Sequence, residues 1–428
     1  MNYNQNKKIM QINEQTLIIG VDIAKEHHVA RAQDFRGIEY GKTLEFCNNN
    51  KGFIQFHNWF TKLCAEHGKN NVIIGMEPTG HYWFCLAKFL REKEIKIAIV
   101  NPMHVKKSKE LDDNSPTKND PKDARVIAQL VKDGRYAEPN IPDGIYADLR
   151  TAMNLRDVLV EELTSVKARV ARWMDIYFPE FEEVFSSWDG KAALLTLRNL
   201  STPSKIAKIS AEDILKLWKT EVKRAVGIKR AELLVEKAKI SIGVTEGIEM
   251  AEYELQYLLD KYDYLMLKLE DLMGKVEAIL HEIPGANEML LIPGLGLVTI
   301  AGFLSEVCEL VQYAHPRQIQ KLAGLTLKEY SSGKHKGQTT ITKRGRRKLR
   351  ALLFKAIMPM VATNKEFKAL HQYYTTRANN PLKKKQSLIA LCCKLIRVLY
   401  AIGTKGIAYN PQKLMNDIKH PEVTGKAA

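Results

Sequence analysis

The sequence has few cysteines, and none of them lie in a metal-binding spacing. Its 428 residues contain six cysteines and no C-x-x-C pair, which argues against a structural zinc site and fits a reducing cytoplasm. Uninterrupted apolar runs of about 18 residues are also missing, so no membrane span is expected. Residues 1–8 are polar and lack the apolar segment of a signal peptide, so secretion is not expected. Residues 1–15 are predicted to be a loose leader.

Acidic residues are outnumbered by basic ones. The 65 Lys and Arg residues against 49 Asp and Glu residues give a formal net charge of +16. This excess favours a polyanionic partner. Nucleic acid is the first candidate, because the positive charge is clustered, and a membrane surface is the second. Hydrophobic residues make up 45% of the chain, enough for real cores, and its length allows about two to four domains.

Short apolar runs in the first 145 residues predict an α/β domain. The predicted elements are three strands (17–24, 28–32 and 41–46), a helix (51–67), a strand (72–77), a helix (81–92) and a strand (95–100). A charged, turn-rich loop is expected over residues 106–118. A last helix then extends to about Lys132.

Acidic residues occupy the few polar positions in these predicted apolar strands. Asp22 lies inside the first strand, and Glu77 ends a later one. A carboxylate among apolar residues is costly to desolvate unless it is paired or bound to a metal. These two positions are therefore candidate metal ligands.

A second pair of acids opens the last predicted helix of this domain. Pro121 suits the first helical position, which places Asp120 at the N-cap and Asp123 one turn later on the same face. The pair has an ordinary interpretation as a helix cap. Two like charges so close also suit a bound cation. Together with Asp22 and Glu77, the oxygen ligands without His or Cys favour Mg²⁺ or Mn²⁺.

The middle of the chain is predicted to be helical. Residues 149–174 form one amphipathic pattern that stops near Pro179, and shorter helices are expected over residues 201–239. Apolar residues then alternate spacings of three and four from Ile248 to Ile279, a heptad seam more than four repeats long. This seam predicts either an antiparallel hairpin with the 149–174 helix or a self-association surface.

The last third of the chain combines a glycine turn with dense positive charge. Gly294 and Gly296 lie between two predicted helices, in a turn that resembles a helix-hairpin-helix, whose backbone N–H groups can hold a phosphate. An ordinary turn between core helices is the alternative. Residues 315–350 then carry eleven Lys or Arg residues against one Glu. The candidate phosphate contacts are Lys334, Lys336, Lys343, Arg344, Arg346, Arg347 and Arg350.

Two adjacent serines lie among these cations. Ser331 and Ser332 precede Gly333, between Lys328 and Lys334. A serine hydroxyl becomes a nucleophile only when a base, a metal or a positive field activates it. Ser-Gly pairs are common in turns, so the dipeptide alone indicates little.

Taken together, these motifs resemble the DEDD transposases of bacterial insertion sequences, specifically the insertion sequence one-hundred-and-ten family of bridge-RNA-guided recombinases. The resemblance covers nearly the whole chain, with motifs in the family's order. The matching motifs are residues 20–25, 76–80, 101–102, 120–125, 293–296, 323–325, 332–333 and 343–345. Arg346 departs from the family, since many relatives carry Asn after the Lys-x-Gly turn.

The resemblance implies three domains. Residues 1–145 would be a RuvC-like, ribonuclease-H-type domain, residues 146–283 a helical coiled-coil domain, and residues 284–428 a mainly α transposase domain with a helix-hairpin-helix. It also implies that Asp22, Glu77, Asp120 and Asp123 bind the metal, Mg²⁺ or Mn²⁺, and that Ser332 forms a phosphoserine link to DNA. Ser331 makes this last assignment ambiguous by one position.

The implied partners are donor and target double-stranded DNA, a noncoding guide RNA and further copies of the chain. The family is expected to work in the bacterial cytoplasm, at the nucleoid, as a tetramer whose acids and serine come from different subunits. Two alternatives stay open: a RuvC-like nuclease that cuts branched DNA with water, and a non-catalytic nucleic-acid scaffold.

Overall fold

The structure is a computed structural model that describes residues 3–112, 120–223, 226–328, 331–332, 335–336, 339–416 and 418. The chain divides into two compact units, Met1–Ile141 and Pro142–Ala428. The acidic motif begins at Thr117 in the sequence, but its first residues, 117–119, lie outside the described residues.

The first unit contains a mixed six-stranded sheet. Its strands are β1 (Thr16–Asp22), β2 (His27–Gln33), β3 (Glu39–Cys47), β4 (Asn71–Met76), β5 (Lys96–Val100) and β6 (Tyr136–Ala137). The spatial order is β3-β2-β1-β4-β5-β6. The β1–β4 and β4–β5 pairs are parallel and the other pairs are antiparallel. The strands predicted from apolar runs are confirmed, and β6 is additional.

Helices cover both faces of this sheet. They are α1 (Tyr3–Met10), α2 (Asn50–Glu66), α3 (Phe84–Glu92), α4 (Pro102–Asp112) and α5 (Asp120–Lys132). Apolar side chains of α2 and α3 pack on one face, where Val21 and Met76 contribute from the strands. The other face packs against α5 and against Val105 of α4. The predicted last helix is confirmed as α5, which begins one residue before the predicted first position, at Asp120, and ends at Lys132.

Two predictions for the first unit are wrong. Residues 3–10 of the supposed loose leader form α1, whose Gln5 side chain donates a hydrogen bond to the Asp133 carbonyl at 2.9 Å. The expected loop after Lys106 is helical as far as Asp112, because α4 begins at Pro102 and continues through it. The α4 helix is only weakly amphipathic, so hydrophobic periodicity does not reveal it, and Val105 is the residue that packs it into the apolar cluster among its described side chains.

The second unit is mainly helical. Its helices are α6 (Gly144–Tyr177), α7 (Phe181–Val184), α8 (Lys191–Asn199), α9 (Pro203–Ile206), α10 (Ala211–Lys219), α11 (Ile228–Lys239), α12 (Ile248–Glu282), α13 (Ala286–Leu290), α14 (Leu297–Val307), α15 (Pro316–Leu322), α16 (Arg347–Thr363), α17 (Lys365–Thr376), α18 (Lys384–Lys405) and α19 (Pro411–Met415). Two apolar clusters hold it together, one around Trp173 and Trp218 and the other around Phe303 and Phe367.

The long helices α6 and α12 pack against each other in antiparallel orientation. The Trp173 indole donates a hydrogen bond to the Ala251 carbonyl at 2.7 Å, and further along the pair Lys261 lies 3.7 Å from Glu162. Seam residues such as Leu258 and Val276 are fully buried. Of the two alternatives for the heptad seam, the structure therefore shows the hairpin within one chain.

One helix is long and apolar enough to cross a membrane by length and composition, although the sequence predicts no span. This helix is α18, and only part of it is buried. Its inner face includes Leu391, Leu395 and Leu399, which belong to the same apolar cluster as Phe303. The helix therefore packs as a core helix of the second unit.

Short strands interrupt the helices between α15 and α16. They are β7 (Leu327–Lys328), β8 (Ser331–Ser332), β9 (His335–Lys336) and β10 (Thr340–Ile341). The β7–β10 and β8–β9 pairs are both antiparallel, so one pair is nested within the other along the sequence. We call residues 325–342 the serine arm.

Candidate functional site

Asp22 and Glu77 lie at the same edge of the sheet. Asp22 is the last residue of β1, and Glu77 directly follows β4. The two strands are parallel neighbours with Val21 beside Met76, so the two acids occupy the next position along each strand. Because side chains alternate between faces, and Val21 and Met76 face α2 and α3, both acids belong to the face that carries α5.

Two glycines bring α5 close to these strand ends. Gly20 of β1 and Gly75 of β4 are register partners. A Cβ on Gly20 would lie 1.9 Å from the Ala124 carbonyl oxygen of α5, and one on Gly75 would lie 2.5 Å from a Val131 methyl group. The missing side chains therefore allow the α5 backbone to lie directly on the sheet. This contact brings the first turn of α5 to the acid-bearing edge.

Asp123 of α5 is almost completely buried. Its Oδ2 atom forms an ion pair with Lys109 of α4, while its Oδ1 atom is buried without a hydrogen-bond partner. A carboxylate that only caps a helix accepts a hydrogen bond from a backbone N–H, and Asp123 Oδ1 accepts none. Asp120 begins α5, but its side chain lies outside the described part of the chain.

Glu77 shares its surroundings with Asp123 and Lys109. Burial raises the pKa of Glu77 above its ordinary value, and the negative charge of Asp123 raises it further. The positive charge of Lys109 acts in the opposite direction. The structure therefore brings two carboxylates and one ammonium group together at the end of β4.

These side chains fit a divalent cation in part. Carboxylate oxygens are the ligands that Mg²⁺ and Mn²⁺ prefer, and Asp123 Oδ1 is a buried acceptor without a partner. Among the side chains that the structure describes, no three of His, Cys, Asp and Glu lie close enough together to hold a metal ion. Glu77 lies close enough to Asp123 for that charge to raise its pKa, and Asp22 lies at the same edge of the sheet. The four-acid site stays a prediction.

Sequence reasoning missed two residues in this unit. Lys109 falls in the predicted loop of residues 106–118, so the sequence does not indicate its pairing with Asp123. Asp34 is a buried acid in the turn after β2, where it accepts hydrogen bonds of 2.9 Å from the backbone N–H groups of Arg36, Gly37 and Ile38. Its turn-forming contacts make it a structural residue.

The glycine turn of the second unit lies between α13 and α14. Gly294 has a positive φ of 91°, which favours glycine, and Gly296 precedes the first residue of α14. Both glycines are exposed, and a Cβ on Gly296 would meet nothing within 4 Å. The predicted helix, turn and helix are present, and the exposed N-terminus of α14 can accept an anion. The helix-hairpin-helix assignment remains a prediction.

The two ends of the serine arm are hydrogen-bonded to each other. The Arg346 N–H donates to the Leu322 carbonyl at 2.7 Å, and the Lys343 N–H donates to the Gly324 carbonyl at 3.1 Å. A Cβ on Gly345 would lie 2.4 Å from the Leu322 carbonyl oxygen. We call these contacts between residues 322–324 and 343–346 the clasp. Ser331 and Ser332 lie in β8, opposite Lys336 and His335 of β9.

The predicted phosphate contacts divide into exposed and internally bonded groups. Lys343, Arg344 and Arg347 are exposed. The Arg346 guanidinium donates to the Glu306 carbonyl and lies 3.4 Å from the Glu306 carboxylate, and Arg350 donates to the Ala323 carbonyl at 3.0 Å. Lys334 lies outside the described residues, and Lys336 is described only by its backbone.

A mixed α/β sheet domain with acids at its strand ends, followed by a basic helical region, is consistent with a ribonuclease-H-type nucleic-acid enzyme. Two family comparisons identify the class further. The DEDD transposase family of the IS110 type matches residues 19–179, and the transposase IS116/IS110/IS902 family matches residues 286–372. The chain belongs to the IS110 family of transposases.

Individual relatives agree with this assignment. A protein of the IS117 mini-circle from Streptomyces coelicolor is 26% identical over 68% of this chain and 71% of its own length. An insertion element IS900 protein from Mycobacterium paratuberculosis is 24% identical over 69% of this chain and 73% of its own length. The transposase for insertion sequence element IS1328 from Yersinia enterocolitica is 25% identical over 39% of this chain and 51% of its own length.

Proposed function

We propose that the protein cleaves and exchanges DNA strands during transposition of an insertion sequence. Membership of the IS110 family supports this reaction class. The observation that carries it is the arrangement of Glu77 beside buried Asp123, whose Oδ1 has no partner, at the edge where β1 ends in Asp22. Acids that serve only stability are normally satisfied by hydrogen bonds, as Asp34 is.

The acids are proposed to bind the metal. Asp22, Glu77, Asp120 and Asp123 would hold Mg²⁺ or Mn²⁺, and a bound divalent cation neutralises charge on a phosphate and polarises its P–O bond. The fold supports this set, because Asp22 ends β1, Glu77 follows β4, and Asp120 and Asp123 lie in the first turn of α5. The close packing at Gly20 fixes the distance between sheet and helix.

Ser332 is proposed to be the nucleophile. Its hydroxyl oxygen would form a bond to the scissile phosphorus while the bond from phosphorus to the leaving DNA oxygen breaks. The serine proton passes to the leaving DNA oxygen, so the products are a phosphoserine link and a free DNA hydroxyl. The bond energy is conserved in the link, which allows rejoining to a new strand without water.

The remaining partners follow from the family resemblance. We propose that the protein uses a noncoding guide RNA, that it assembles as a tetramer, and that α6 and α12 form the coiled-coil part of residues 146–283. Exposed Lys343, Arg344 and Arg347 would contact phosphates, as would the glycine turn at Gly294 and Gly296.

Replacement of Glu77 by Gln and of Ser332 by Ala tests this function. Each variant should lose strand exchange on a donor–target DNA pair with guide RNA, because one loses a ligand and the other the nucleophile. DNA binding should stay largely intact, since neither substitution removes a positive charge. The matched control is Ser331→Ala, which removes the adjacent hydroxyl and should keep activity.

Trapping of a covalent protein–DNA adduct separates the proposed mechanism from hydrolysis. The adduct should form in the parent protein and disappear in Ser332→Ala. If Ser332→Ala still cuts branched DNA in the presence of metal, the protein is a hydrolytic nuclease and Ser332 is structural. If no variant or condition gives metal-dependent cleavage, the protein is a non-catalytic scaffold.

A further inference from the structure

Lys109 is a cation inside the candidate acid site. It lies in the last turn of α4, a helix that packs against α5 and is anchored by buried Val105. Its ammonium group is paired with Asp123 Oδ2, and its positive charge lowers the pKa of Glu77 against the larger effect of burial. Lys109 therefore contacts Asp123 and lies close enough to Glu77 for its charge to act on that acid.

The surroundings of this ion pair differ from those of a surface salt bridge. The exposed fraction of the Asp123 side chain is 7% and that of Lys109 is 26%. Lys109 is the cation that the described residues place against Asp123, and a nearly buried carboxylate that lost such a partner would be left uncompensated, which is costly. Asp123 Oδ1 has no partner, so Lys109 satisfies only half of the carboxylate. The site is built to hold more positive charge than one ammonium supplies.

We propose that Lys109 holds the cation position of the acid site in the metal-free protein and competes with the divalent metal for Asp123. This inference rests on the proposed function, since it needs the acids to be metal ligands. A divalent cation that coordinates Asp123 lies within a few ångströms of the ammonium group. The two like charges repel, so Lys109 turns outward when the metal binds.

A manganese titration tests the competition. Mn²⁺ binding to the full-length protein is measured by electron paramagnetic resonance, without DNA or RNA. Lys109→Met should tighten binding by about tenfold or more, because a neighbouring charge shifts such an equilibrium by about one to three powers of ten. Lys107→Met is the matched control: it removes the same charge from an exposed position of α4 and should leave affinity within about twofold.

A charge-preserving variant and the metal-free stability complete the test. Lys109→Arg should keep the parent affinity, because the positive charge remains. Without metal, Lys109→Met should lower the melting temperature, and saturating Mn²⁺ should restore it. This stability measurement also shows whether the variant folds. If Lys109→Met folds and its Mn²⁺ affinity is unchanged or weaker, Lys109 does not compete with the metal.

The outcomes distinguish this inference from the proposed function. Glu77→Gln should abolish the Mn²⁺ signal of the site in both the parent protein and Lys109→Met. If that loss is seen but Lys109→Met has no effect, the metal site stands and the inference about Lys109 is overturned. If the parent protein and Lys109→Met show no Mn²⁺ site that depends on Glu77, the four-acid proposal fails and the inference fails with it.

Discussion

Two glycines set the distance between the acid-bearing strands and α5. Gly20 touches the α5 backbone at the Ala124 carbonyl, where even a methyl group would overlap. Gly20→Ala should therefore destabilise the protein by about 3 kcal/mol or more, because a backbone atom cannot move aside as a side chain can. Thermal unfolding measured by circular dichroism checks this.

The control for this substitution is Gly274→Ala. Gly274 is an exposed glycine in the interior of α12, and a Cβ there would meet nothing within 4 Å. Alanine at that position should stabilise the helix by about 0.5–1 kcal/mol. If both substitutions changed the melting temperature equally, that result would contradict the close approach of α5 to β1.

Asp34 gives the protein a pH-dependent contribution to stability. Burial by itself raises its pKa, but hydrogen bonds from the Ile38 and Arg36 backbone and from the Arg36 side chain outweigh it, so the pKa of Asp34 lies below its ordinary value. The folded state therefore binds a proton less readily than the unfolded state. The contribution is present above the unfolded pKa of about 3.9 and is lost as the pH falls through the lower folded value.

Asp34→Asn isolates this contribution. At pH 7 the variant should melt at a lower temperature than the parent protein, because the turn loses its charged acceptor. The difference between the two melting temperatures should shrink as the pH is lowered below about 4. A difference that is constant over this range would show that the charge of Asp34 does not stabilise the fold.

At the residue scale, the sequence identifies acids more easily than their partners. Asp22 and Glu77 stand out because each interrupts an apolar run. Lys109 is one lysine among several in α4, and nothing in the sequence tells which one faces Asp123. Gly20 and Gly75 are visible in the sequence, but their pairing depends on strand register, which only the folded sheet supplies.

At the scale of elements, the sequence predicts helices and strands that have a strong hydrophobic pattern and misses those that have a weak one. Continuous apolar runs predicted β1 and β4, and Asp-Pro marked the start of α5. The two-residue strands of the serine arm are too short to carry a period. The clasp joins residues about twenty positions apart through backbone hydrogen bonds, which leave no mark on residue type except at Gly324 and Gly345.

The exposed basic residues beside the clasp should govern DNA affinity. Combined replacement of Lys343, Arg344 and Arg347 by Ala should reduce the slope of log affinity against log salt by about two to three, since each phosphate contact contributes close to one. Fluorescence anisotropy with double-stranded DNA at several salt concentrations measures this slope.

The matched control removes three exposed charges from the helical middle of the chain. Combined replacement of Lys223, Lys229 and Lys239 by Ala changes the net charge equally. It should leave the slope close to that of the parent protein. An unchanged slope in the Lys343 variant, or equal reductions in both, would remove phosphate contact as the role of this cluster.

At the scale of the whole molecule, acids and serine belong to different compact units. The four acids lie in Met1–Ile141 and Ser332 in Pro142–Ala428. If they act together across subunits, as the family resemblance implies, then Glu77→Gln and Ser332→Ala chains should complement each other. Mixed oligomers, formed by co-expression, should regain part of the covalent adduct that neither variant forms alone.

Two controls accompany the co-expression. Each inactive chain co-expressed with a tagged copy of itself should stay inactive. Light scattering reports whether the purified species is a tetramer. Absence of any adduct in mixed tetramers would show that each site draws its acids and serine from one chain. The sequence does not show whether one active site takes its acids and its serine from the same subunit, because the order of motifs along a chain does not tell which subunits meet.

The clasp has a consequence for how this protein can vary. Because residues 322–324 and 343–346 are already bonded to each other, the segment between them starts and ends at one point of the fold. Lengthening a loop whose ends are held costs only about 0.6 kcal/mol for each doubling. A short insertion between Leu325 and Thr342 should thus lower the melting temperature only slightly, because the clasp keeps the two ends of the segment together.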